Sequence, residues 1–182
     1  MKRSRANSRG FTLVELMVVV VIVGILAVLG VVMLGSHQKQ ARTYETLAMV
    51  QSIRAAEERW RSENLSYLDV SHHGWFPHDP DGTRKTFLQA GSAHGDANNW
   101  ILLNPTSNPF VYAGFVVNAG MPGDNISSTV TLAHTVVGLH WDTPPDNWYV
   151  IQAIMDNDND GDEAYYLASS FNGEVYRQNE GE

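Results

Sequence analysis

The chain has 182 residues, with twelve lysines and arginines against twenty aspartates and glutamates, and no cysteine. That length suits one domain with an appendage. Without cysteine there are no disulfides, thiolate metal sites or thiol nucleophiles, and the expected staple of an exported domain is packing or a metal. Charge is segregated as well: Lys2, Arg3, Arg5 and Arg9 precede an apolar run, whereas after Thr86 Arg177 is the only basic residue among twelve acids. A half this acidic repels phosphates, so no nucleic-acid partner is expected.

Residues 1–10 (MKRSRANSRG) are short, basic and polar, and the following FTLVELMVVVVIVGILAVLGVVMLG is apolar except for Thr12 and Glu15. A helix needs about 20 apolar residues to cross a hydrocarbon core, and Leu16–Gly35 supplies them. The leading basic residues place the N-terminus in the cytoplasm and the rest of the chain outside. A secretory signal peptide would have a shorter apolar core, closed by a small-x-small cleavage site. A plain signal anchor leaves Glu15 unexplained. A carboxylate inside a membrane segment is costly and by default functional, although the positive end of the helix dipole lowers the cost here.

Gly10-Phe11-Thr12-Leu13-Val14-Glu15-Leu16 resembles the class III signal of type IV prepilins and type II secretion pseudopilins. The resemblance covers residues 1 to about 61. It implies that a membrane prepilin peptidase cuts between Gly10 and Phe11 and N-methylates Phe11. It also implies that Glu15 pairs with the terminal amine of a neighbouring Phe11 during polymerisation. Opposite charges in a low-dielectric layer would then satisfy each other and set the axial register. The implied partners are copies of the chain, other pilins or pseudopilins, an inner-membrane assembly platform and the membrane itself. Many members of the family carry a proline midway along the membrane helix; this chain has Val31-Val32 there, with Gly24, Gly30 and Gly35 as its weak points.

No proline interrupts Phe11 to Asn64, so the helix is expected to continue beyond the membrane. Ala41, Ala48, Met49, Ser52, Ile53, Ala56 and Trp60 form a stripe at spacings of three, four and seven. Arg42, Glu45, Arg54, Glu57 and Arg61 mark the other side, with Glu57–Arg61 an i,i+4 pair. The expected organisation is a cleaved leader over 1–10, a transmembrane and polymerisation helix over 11–36, its amphipathic continuation over 37–64, and a head over 65–182.

Within the head, Ser66 to about Lys85 reads as loop. His72, His73 and His78, with Asp79 and Asp81, match no established zinc spacing and read as solvated loop residues. Strands are expected over Phe110–Asn118, Thr129–Val137, Trp148–Met155, Tyr165–Ser170 and Glu174–Arg177, with Asn172-Gly173 as a tight hairpin turn. The fold class is therefore α+β: a long N-terminal α-helix packed on a C-terminal antiparallel β-sheet head, as the resemblance also implies. Asn64-Leu65-Ser66 and Asn125-Ile126-Ser127 match the glycosylation sequon and read as loop residues.

The acidic turn Asp156-Asn157-Asp158-Asn159-Asp160-Gly161-Asp162-Glu163 resembles the first half of an EF-hand loop. Its twelfth position is Leu167 and its flanks read as strands, which excludes a true EF-hand. The expectation is a calcium-holding turn, with Asp156, Asp158 and Asp160 as ligands and Asp162 or Glu163 completing the shell. An acidic turn kept soluble by its charge is the alternative.

Function is expected to be structural and non-enzymatic. The chain reads as a filament subunit of a type IV pilus, with a type II secretion pseudopilin as the alternative, residing in the inner membrane before assembly and in a filament afterwards. A membrane-anchored catalytic or ligand-binding head is the remote alternative. No G-x-S-x-G, H-E-x-x-H, P-loop or dinucleotide fingerprint is present.

Overall fold

The structure is a computed structural model that describes residues 10–88, 92–105, 108–126, 130, 141 and 143–180, except for the side chains of 31–34 and 36. It divides into two compact units, Met1–Gln38 and Lys39–Glu182. Helix α1 runs over Leu13–Asn64. It ends where Leu65 turns left-handed (φ 62°), with the Leu65 amide still bonded to the Arg61 carbonyl at 2.8 Å.

In the first unit, Leu13–Gly30 is long and apolar enough to cross a membrane, and none of it is buried. Its 18 residues span about 27 Å at 1.5 Å per residue. Side chains such as Leu13 (74% exposed) and Val28 (68%) therefore need lipid or protein around them.

In the second unit, α1 is followed by β1 (Lys85–Thr86), α2 (Ala97–Leu103), β2 (Phe110–Val111), β3 (Gly114–Gly120), β4 (Trp148–Met155), β5 (Ala164–Ser169) and β6 (Val175–Gln178). Strands β3–β6 form an antiparallel meander, and β1 pairs with β2 in a separate two-stranded ladder. This is the expected α+β architecture. Alternation along the strands sorts two faces. Phe115 and Val117 of β3, Tyr149, Ile151, Ala153 and Met155 of β4, and Tyr166 and Ala168 of β5 join Met49, Val50, Ile53 and Ala56 of α1 in one core. Trp148, Val150 and Leu167 point the other way and pack with Ile126, Val130 and Trp141.

Several expectations are corrected. The buried stripe of α1 is rotated: Ala41 and Ala48 are exposed, while Thr43, Thr46 and Glu57 are buried. Threonine fits because its hydroxyl finds partners inside, Thr46 with Met155 Sδ and Thr43 with Tyr166. Glu57 turns inward to accept the Leu68 amide, and Arg61 donates instead to the Tyr67 hydroxyl. The run Phe110–Asn118 is split between two ladders, and α2 lies where no element is expected. The strand expected over Thr129–Val137 falls, apart from Val130, outside the described residues.

The β5–β6 connection is also longer than a tight Asn172-Gly173 turn, because Ala168 pairs with Val175. Its carbonyls converge on Arg54. Nη1 donates to Gly173 at 2.8 Å, and Nη2 to Ser169, Asn172 and Glu174 at 3.3 Å each. A planar guanidinium can serve several acceptors at once, which an ammonium on a flexible stem does less well. Arg54→Ala is expected to destabilise the head by about 2–3 kcal/mol, with Arg54→Lys recovering less than half. Thermal melting followed by tryptophan fluorescence measures this; an unchanged melting temperature in Arg54→Ala would refute the clamp.

Candidate functional site

Two places carry the chemistry singled out by the sequence, one in each unit. At the start of α1, Gly10 and Phe11 precede the helix and are exposed, Phe11 at 86%. Glu15 Oε2 accepts both the Thr12 amide and the Thr12 hydroxyl at 2.8 Å, and Thr12 Oγ1 accepts the Glu15 amide at 3.3 Å. This is a capping box, with Thr12 at the N-cap and Glu15 at the third helical position. The sequence carries its S/T-x-x-E signature, but the apolar surroundings draw attention to the charge of Glu15 instead. Thr12 is thus the site residue that the sequence reading passes over. The Thr12 amide belongs to the Phe11–Thr12 peptide, so a cut after Gly10 would leave the box intact.

The second place is the β4–β5 connection. One carboxylate oxygen from each of Asp156, Asp158 and Asp160 lies within 4.8 Å of the others. Asp156 is buried, and its two oxygens accept the amides of Asn159 (2.6 Å) and Gly161 (3.1 Å). Left-handed Asn159 (φ 60°) and Gly161 (φ 92°) allow the chain to fold back over it. Asp158 and Asp160 are exposed.

Asp162 and Glu163 do not join that group. The Asp162 amide donates to Asp160, and Glu163 Oε2 accepts the Tyr165 hydroxyl at 2.6 Å. Leu167, at the twelfth position, packs beneath the second sheet face.

Two cations from α1 reach this turn. Lys39 Nζ pairs with Asp158 at 3.0 Å and holds its carboxyl below the usual range, while Arg42 donates to the Asn157 carbonyl at 2.7 Å. Part of the acidic charge is therefore already balanced by the protein. Nothing in the sequence links positions 39 and 158, since that contact depends on the register of α1 against the sheet.

The histidines beside α2 serve the fold. Asp96, 1% exposed, accepts the amides of His72 (3.1 Å) and His73 (2.9 Å) and bonds to His73 Nδ1 (2.7 Å). Burial pushes its carboxyl up, but these hydrogen bonds outweigh burial and hold it below its ordinary value. Asp81 is tied to Thr83 and Lys85, and His78 Nδ1 to the Asp79 carbonyl.

Comparison with known proteins bears on the first site. Residues 5–31 match the prokaryotic N-terminal methylation motif. The chain is 29% identical over 116 residues to type II secretion system core protein G of Pseudomonas aeruginosa, a match covering 59% of this chain and 75% of the relative. It is 32% identical over 98 residues to the type IV major pilin protein PilA of Myxococcus xanthus, covering 53% of this chain and 44% of the pilin, so less than half of that longer protein is represented. No solved structure matches. With a methylation motif that runs into an exposed apolar helix and an antiparallel sheet later in the chain, the protein resembles type IV pilins and type II secretion pseudopilins.

Proposed function

We propose that this chain is a structural subunit of a type IV pilus or pilus-like filament. It would be made with a basic leader, cut between Gly10 and Phe11, N-methylated on Phe11 and polymerised through its N-terminal helix. The observation that carries this reading is the methylation motif over residues 5–31, which takes in the start of an apolar helix with no buried residue in its first 18. Such a helix is stable in a bilayer before assembly and among other copies of itself afterwards. The leader's basic residues favour a cytoplasmic N-terminus, which puts the head on the far side of the inner membrane. A prepilin peptidase and an inner-membrane platform are the partners this route requires.

The type II secretion pseudopilin is the second reading. It is favoured by one observation: the match spans 75% of core protein G but only 44% of the pilin. Loss of surface filaments on deleting the secretion platform, with the pilus platform left intact, would decide for it.

Glu15 has two roles to separate. As a helix cap it needs only an acceptor oxygen; in polymerisation it needs a charge to meet the amine of Phe11 on a neighbouring copy. Glu15→Gln preserves the capping box and removes the charge. The expected result is a subunit that is cut and membrane-bound but at least tenfold depleted from the sheared filament fraction. Normal filament yield from Glu15→Gln would contradict a polymerising charge.

The acidic turn is proposed to take calcium. Asp156, Asp158 and Asp160 offer three hard oxygen donors, which suit that ion. Lys39 competes for Asp158, so affinity should be weak and should rise in Lys39→Met. Chelation is expected to lower the melting temperature of the full-length subunit in detergent, and Asp160→Ala to abolish the chelator's effect. Equal melting with calcium and with chelator would remove calcium from the account.

A further inference from the structure

We propose that Glu57 is a proton-dependent latch: a buried carboxylic acid on α1 that, while protonated, holds the segment 65–71 against the helix and releases it on ionisation. Glu57 is 0% exposed. Its Oε2 accepts the Leu68 amide at 3.0 Å, and its Oε1 is buried without a hydrogen-bond partner. A carboxylate so placed would leave one charged oxygen wholly unsolvated, whereas a protonated carboxyl can be buried at far lower cost.

The neighbouring acids act in the same direction as burial. From α1, Glu58 opposes a second negative charge, and Asp69 opposes it from the segment itself. Tyr67 donates to Glu58 and receives Arg61, which leaves that guanidinium occupied. Arg54, the other nearby cation of α1, gives Nη1 and Nη2 to the β5–β6 carbonyls, and its buried Nε donates to no acceptor, Glu57 included. Tyr149 faces the group from β4 and is itself pushed up by burial. Among the described residues no cation pairs with Glu57. Burial, opposed only in part by the Leu68 amide, raises its carboxyl to about 8.

The latch lies at a junction. Immediately after Leu68, the amides of Val70 and Ser71 donate to the Val117 carbonyl of β3, and Asn99 of α2 donates to the Val70 carbonyl. Release of Leu68 therefore loosens the strip that joins the end of α1 to both the sheet and α2. Mildly alkaline pH would free this strip while the rest of the head stays folded.

The sign follows from proton binding. The closed state keeps its proton up to about pH 8, whereas the open state, with Glu57 in water, loses it near the ordinary glutamate value of about 4.3. Opening thus releases a proton, and closure weakens about tenfold per pH unit between those values before levelling off.

Hydrogen exchange of full-length subunit in detergent, read on peptides covering residues 65–71 from about pH 5.5 to about pH 8.5 and corrected for intrinsic rates, tests this. Protection should fall about tenfold per unit to about pH 8 in the wild type and stay flat in Glu57→Gln. Should that variant fail to fold, the wild-type infrared carbonyl stretch of a protonated carboxyl should persist at neutral pH and fade above about pH 8. Flat wild-type protection, an unchanged pH profile in Glu57→Gln, or no protonated band at neutral pH would each overturn the latch.

Discussion

The second half of α1 is the wall against which one whole face of the sheet closes, and a chain without cysteine must fix its loops to that wall by non-covalent means. The apolar part of the solution is the core of Met49, Val50, Ile53 and Ala56 with the inward residues of β3, β4 and β5. The polar part is a set of three α1 arginines aimed at backbone carbonyls. Arg42 takes Asn157, Arg54 takes four carbonyls around the β5–β6 connection, and Arg59 takes Leu103 and Asn104 at the end of α2. Hydrogen bonds from charged donors contribute about 1.5–3 kcal/mol each. Together they secure loops that small exported domains more often tie with disulfides.

The first half of the same helix follows the opposite rule. From Leu13 to Gly30 no residue is buried, and the one charged side chain of that stretch lies near its start, where Thr12 and Glu15 satisfy one another. An acid so placed is internally hydrogen-bonded before any neighbour arrives. Assembly on this account exchanges a neutral contact, Thr12 to Glu15, for an ionic one with another copy. One continuous helix can thus serve a bilayer, a filament and a folded head because each stretch presents only the surface its own environment needs.

How much of this is legible in the sequence depends on where the signal resides. The motif around Gly10 and the uninterrupted apolar run are local and can be read directly. So is β4, whose alternation and aromatic content mark it over Trp148–Met155. The buried stripe of α1 is less legible, because alanine fits either environment and buried threonines resemble surface ones in composition. Glu57 and Arg54 are the extreme cases: both look like members of a solvated face, and only the crossing of residues 65–71 and of the β5–β6 connection gives them their roles. In the acidic turn the trio of aspartates can be read from spacing, while the departure of Glu163 to Tyr165 and the arrival of Lys39 depend on tertiary register.

The central claim is that the chain enters a filament only after its leader has been removed. Mass spectrometry of the N-terminal peptide from purified surface filaments tests this most directly. The account predicts a peptide that begins at Phe11 and carries one added methyl group on its amine. Filaments whose subunits retain residues 1–10, or begin at any residue other than Phe11, would contradict it.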